Sequence, residues 1–260
     1  MAETEADTSP PGVNPDNPES IEPPKTFPLP PAPSELDQVT TKALRHIKAK
    51  RGGDLAAVLL VGSATREALL PHSDINFIVL VKGTEDRHEL VRIQTRIVEI
   101  RYMGLASAEE QIKMSLRLPA TLRKARVLYE IEADGCRFLE QAHARFRQGT
   151  PTLTLHEKIR LRSDALHWLG KAEDHTDQPA LAQYLLSIYF DECMSAFHHL
   201  RGLWLTSAKE SLGFISQRDP ALGDLLQQAF AATDLSHRFE VGRRIAEYLF
   251  RDIPSPARID

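Results

Sequence analysis

Hydrophobic positions follow one rhythm up to about residue 135 and a different one after it. Leu36, Val39, Ala43, Leu44 and Ile47 recur at helical spacing from Ser34 onward, and Gly52-Gly53 closes that helix. Leu55–Val61 is a short continuous apolar run, the pattern of a strand buried on both faces. Gly62-Ser63 breaks it, a short helix to Leu70 is expected, and Pro71-His72-Ser73 reads as a turn. Ile75–Val81 is a second buried strand, Glu85–Ile93 reads as a helix, and Ile97–Met103 as a third strand. In that third strand Val98, Ile100 and Tyr102 share one face and Glu99 and Arg101 the other. A helix from Ser107 should stop before Pro119, and Ala125–Ile131 supplies a fourth strand ended by Asp134-Gly135.

Beyond this point only the helical period remains. Helices are expected over Cys136–Arg147, from the Thr154/Glu157 capping box to about Asp174, and from Pro179 to about Thr206. Three shorter ones follow: Lys209–Gln217, Pro220–Ala231 and Leu235–Arg251. The expected fold class is therefore α/β followed by all-α: a small mixed sheet with flanking helices, then a helical bundle. Residues 34–135 form the first domain and 136–260 the second. Trp168, Tyr184, Tyr189, Phe197 and Trp204 fall at helical spacing and read as core.

Composition adds a third segment. Residues 1–33 carry ten of the 17 prolines and few large apolar residues, which predicts a disordered acidic tail. They also hold six acids against one lysine, a balance of −5, so within the net charge of −4 the remainder of the chain is about +1. A near-neutral body gives no electrostatic case for bulk nucleic-acid or membrane-surface binding. Cys136 and Cys193 lie in apolar helical patterns and read as buried free thiols. No apolar h-region opens the chain and no run approaches a membrane span, so a cytoplasmic location is expected.

Candidate chemistry is concentrated between residues 60 and 77. A strand ends at Gly62-Ser63, where the missing side chain lets a phosphate approach backbone N–H groups and Ser63 adds a hydroxyl. Eleven positions later Asp74 opens the next strand, with Asn76 on the same face. A carboxylate there suits Mg²⁺ held against a triphosphate. Glu99, on the third strand, can point to the same edge.

This stretch resembles the nucleotidyltransferase superfamily, the DNA polymerase β-like fold, whose pattern is hydrophobic-Gly-Ser, about a dozen residues, then Asp-hydrophobic-Asp. Pro71-His72-Ser73-Asp74-Ile75 is similar in particular to the aminoglycoside adenylyltransferases acting on streptomycin and spectinomycin. The resemblance covers roughly residues 55–103. It implies transfer of a nucleoside monophosphate, AMP from ATP in the first place, to an acceptor hydroxyl, with Mg²⁺ or Mn²⁺ and release of pyrophosphate. The acceptor is left open among a small molecule, a protein and an RNA. Asp74, Asn76 and Glu99 are then the catalytic and metal-binding set, with Glu99 at the position of the family's catalytic carboxylate. Gly62, Ser63, Arg66 and Lys209 are the nucleotide-binding set.

Two positions depart from the family. Asn76 stands where a second Asp is expected, which keeps an oxygen but removes a charge. Glu67 follows Arg66 where many members have Gly. The first departure leaves a second reading open, a nucleotide-binding pseudoenzyme with a regulatory role. Two further groups carry chemistry-bearing side chains: Asp191, Glu192, His198 and His199, which suit a cleft-lining helix, and the Arg162/His167 pair, a spacing that arises easily by chance.

Overall fold

A computed structural model describes residues 34–66 and 70–256, the side chain of Arg66 excepted. The expected acidic tail, residues 1–33, lies outside the described residues.

Five strands make one mixed sheet in the order β3-β4-β2-β1-β5: β1 (Leu55–Val61), β2 (Ile75–Val81), β3 (Asp86–Ile93), β4 (Arg96–Gly104) and β5 (Arg126–Glu130). β1 runs antiparallel to both β2 and β5, β2 is parallel to β4, and β3 is antiparallel to β4. β1 is buried along its whole length, as its unbroken apolar run requires. Helix α1 (Glu35–Arg51) covers one face, setting Val39, Ala43 and Ile47 on Leu60, Phe77 and Ile100. The other face is covered in part by α2 (Leu105–Met114), α3 (Leu118–Leu122) and α4 (Asp134–Gln148), through Ile112, Leu122 and Phe138 on Leu59, Ile78 and Leu80. α4 therefore packs on the sheet, although the sequence places it at the head of the helical half.

The helical region comprises α5 (Leu155–Asp174), α6 (Pro179–Leu200), α7 (Ala208–Arg218), α8 (Pro220–Ala231) and α9 (Leu235–Phe250), around a core that includes Leu186, Tyr189, Phe190 and Ile245. The Thr154/Glu157 capping box opens α5. Tyr189 sits at the centre, its buried hydroxyl donating to the carbonyl of Gly242 at 2.7 Å. This chain region meets the sheet region through Leu205 N–H donating to Leu116 O (3.1 Å) and Trp204 Nε1–H to Phe146 O (3.2 Å). Among the described residues, no helix is long and apolar enough to cross a membrane.

Several sequence expectations are corrected. Residues Asp86–Ile93 form an edge strand and not a helix. On one face Glu89 is tied to α1 and Val91 packs against that core, while His88 and Leu90 face the other way. α2 does stop before Pro119, at Met114, but a further short helix not foreseen, α3, takes Pro119 into its first turn, where a missing N–H costs nothing. α6 ends at Leu200, because Gly202 takes a left-handed φ of 64° and turns the chain. Tyr184 is 64% exposed and does not join the core. Cys136 is exposed, its thiol donating to Glu130, and only Cys193 is buried.

Candidate functional site

The site is a product of strand register. Val61 pairs with Asn76 across β1–β2, and Asn76 pairs with Glu99 across β2–β4. Register partners point to the same side of a sheet, so Asn76 and Glu99 are neighbours on the face that α2, α3 and α4 leave open at this end. Asp74 lies two residues before Asn76, exposed, one position ahead of β2. Gly62 closes the row: a methyl built on it would lie 3.5 Å from Asn76 Nδ2. Its φ of +74° is the reason for glycine here, since an L side chain is strained in that region.

After Gly62 the chain makes a short 3₁₀ helix, Gly62–Arg66, in place of the α-helix expected. Thr65 Oγ1–H donates to Gly62 O at 2.8 Å and tightens it. Ser63 is half-buried. The side chain of Arg66 lies outside the described residues, as do residues 67–69, including Glu67.

The turn that delivers Asp74 is clamped from β4. Arg96 donates through Nη1 to the carbonyls of Leu70 (2.6 Å) and Pro71 (3.0 Å), and its other nitrogens hold Glu35 of α1 at 2.9 Å. Within the turn Leu70 N–H donates to Ser73 Oγ and Ser73 N–H to Leu70 O. Arg96 therefore positions Asp74 without touching it. Sequence reasoning missed this role; the one signal available was a lone Arg at the foot of a strand.

Glu99 also has a partner the sequence did not reveal. His88 Nδ1 lies 3.2 Å from Glu99 Oε1. The pairing exists because β3 is a strand; a helix there would have placed His88 elsewhere. Arg101, farther along the same face, is engaged by Asp86 and Gln111 and so adds little free charge.

Among the described residues, no group of three or more His, Cys, Asp or Glu side chains is placed to hold a metal ion by itself. The donors at the row are two carboxylates, Asp74 and Glu99, and the amide oxygen of Asn76. That set fits one hard cation whose remaining ligands are phosphate oxygens and water, and is one charge short for two adjacent cations. Lys209 is exposed in the first turn of α7 and makes no hydrogen bond or ion pair with the row among the described residues. A recess of about 210 Å³ between α2 and α4 is lined by Glu109, Asp134, Arg137 and Gln141, away from these residues.

The other sequence candidates resolve as architecture. His198 is buried, hydrogen-bonded through Nδ1 to Met194 O and stacked on Phe214, and burial pushes its pKa down. Asp191 is exposed. Arg162 donates to the carbonyl of Ile253 at 2.6 Å, a tether for the end of the described chain.

No family model and no curated protein matches the chain. One solved structure similar to it is a nucleotidyltransferase-like protein from Exiguobacterium sibiricum 255-15. The two share 12% identity and a TM-score of 0.47, over 82% of this chain and 74% of that one. The row of residues stands on its own geometry.

Proposed function

We propose that this chain is a nucleotidyltransferase, moving a nucleoside monophosphate, AMP in the first instance, from a nucleoside triphosphate to an acceptor hydroxyl. The observation that carries this reading is the register Val61–Asn76–Glu99, which lines up Gly62, Asn76 and Glu99 on one open face with Asp74 just upstream. Along that row a glycine at positive φ stands next to the Asn76 amide, with Glu99 one strand further on, a combination that suits a triphosphate with a divalent cation.

In the proposed reaction the acceptor oxygen attacks the α-phosphorus, the new O–P bond forms, and the bond to the β-phosphate oxygen breaks to release pyrophosphate. Gly62 N–H and Ser63 Oγ bind phosphate oxygens, and Arg66 and Lys209 are proposed to meet the triphosphate. Asp74, Asn76 and Glu99 would hold Mg²⁺ or Mn²⁺, which when bound neutralises charge on the triphosphate. Glu99, steadied by His88, also lies where an acceptor hydroxyl can give up its proton. Positioning and charge neutralisation supply the catalysis.

A second reading, a nucleotide-binding pseudoenzyme, is favoured by Asn76 itself. The deciding experiment incubates the protein with each α-labelled triphosphate and Mg²⁺ or Mn²⁺, and follows label into protein, RNA and small-molecule fractions. Transfer abolished by Asp74→Ala supports the enzyme. Nucleotide binding without transfer to any fraction supports the pseudoenzyme, and absence of binding sinks both.

A further inference from the structure

Between Glu110 and Glu130 the chain has no acid and five cations, Lys113, Arg117, Arg123, Lys124 and Arg126. Elsewhere the arginines are commonly neutralised, as in Arg51–Asp54, Arg96–Glu35, Arg101–Asp86 and Arg243–Glu173. Among the described residues, none of Arg117, Arg123, Lys124, Arg145 or Arg147 makes an ion pair, and all but the half-buried Arg145 are exposed. The near-neutral charge of the whole body hides this patch.

These cations gather where the sheet region meets the helical region. Arg117 follows Leu116, whose carbonyl holds Leu205. Arg117 and Arg123 flank α3, about 9 Å apart along its axis at 1.5 Å per residue. The guanidinium of Arg123 lies 4.5 Å from the Phe146 ring centroid, Phe146 stacks on Trp204 at 5.7 Å, and the guanidinium of Arg145 lies 4.8 Å from the Trp204 ring. Each guanidinium thus has an aromatic ring on one side. A planar cation fixed in this way presents its second face at little entropic cost, and that face suits a nucleobase.

We infer that this seam binds single-stranded nucleic acid, with phosphates on Arg117, Lys124 and Arg147 and bases stacked on Arg123 and Arg145. Unneutralised charge supplies affinity, and stacking supplies the preference for single strands. The inference does not rest on the proposed nucleotidyl transfer, and its test uses a different surface.

The test is fluorescence anisotropy of the full chain with a labelled single-stranded RNA of about 20 nucleotides, from about 50 to about 200 mM salt. With three cations on phosphates, the slope of log affinity on log salt is expected to be about −2.1, and the Arg123→Gln/Lys124→Gln double variant, which removes one of them together with a stacking plane, should bring it to about −1.4. Arg123→Lys should weaken binding several-fold with the slope unchanged, because charge stays and the plane is lost. Asp74→Ala and Arg160→Gln should bind as the parent does, and thermal melts of all variants should coincide. No binding at the lowest salt, an unchanged double variant, or equal affinity for a duplex of the same length overturns the inference. If Asp74→Ala loses nucleotide binding but keeps RNA, the two sites are separate; if it loses both, the seam is not an independent site.

Discussion

Asn76 and Glu99 are direct cross-strand partners on the parallel pair β2–β4, an amide beside a carboxylate on one open sheet face. A cation held by one would be within reach of the other, so the missing charge at residue 76 falls on the proposed donor set. Asn76→Asp is expected to tighten Mn²⁺ binding about tenfold, about 1.4 kcal/mol, and to raise any transfer rate. Titration of the nucleotide-bound protein with Mn²⁺ checks this. An unchanged affinity would show that residue 76 is not a ligand.

Asp74 and Arg96 should separate chemistry from support. At a hundredfold excess over its dissociation constant, a nucleoside triphosphate with Mg²⁺ should stabilise the parent by about 2.7 kcal/mol, and Asp74→Ala should remove that gain. Arg96→Ala frees the Leu70–Ser73 turn and should weaken the gain, not remove it, while lowering the melting temperature without ligand. Thermal shifts with and without nucleotide distinguish the two patterns. Equal gains in the parent and Asp74→Ala would remove Asp74 from the site.

The legibility of this chain in its sequence follows burial. β1, β2 and β4 are apolar on at least one face, and their runs were readable, as was the row from Gly62 to Asn76. β3 was not, because it is an edge strand with charge on both faces: Asp86, His88 and Arg92 on one, Arg87 and Glu89 on the other. Such charge protects an edge from pairing with other chains, and it also erases the alternation that identifies a strand. His88 beside Glu99 was lost with it. The end of α6 was overrun because Trp204 and Leu205 are apolar for a different reason, packing at the seam with the sheet region.

Glu89 makes a pH-dependent contribution. Burial would raise its pKa, but hydrogen bonds from Lys50, Tyr102 and His46 outweigh that and bring it down from 4.5 to about 2. A depressed carboxylate stabilises the fold above its unfolded pKa and loses that effect as pH falls through the folded one. The contribution is thus full above about pH 4.5 and fades toward pH 2. Glu89→Gln should cost about 2 kcal/mol at neutral pH and flatten the decline of stability in that window. Urea melts of parent and variant across the window test it. Parallel declines would refute the assignment.

Gly104 tests packing alone. Its φ of −63° suits any residue, but an added methyl would meet the Gly83 carbonyl oxygen at 2.0 Å. Backbone there is held by Gly104 N–H donating to Glu85 O at 2.6 Å, so it cannot retreat freely. Gly104→Ala should cost about 3 kcal/mol by chemical denaturation. A loss below about 0.5 kcal/mol would mean the two segments can part.

The parallel pairing of β2 with β4, with β3 lying within the connection between them, favours an order of assembly. β3 and β4 are joined by Gln94-Thr95 and can close as a local hairpin in microseconds. β2 gains β4 only when that finished hairpin swings back alongside it, a non-local event with a larger loop to close. Asn76 and Glu99 are therefore expected to meet late, so that a refolding chain acquires its hairpin before it brings the proposed site together.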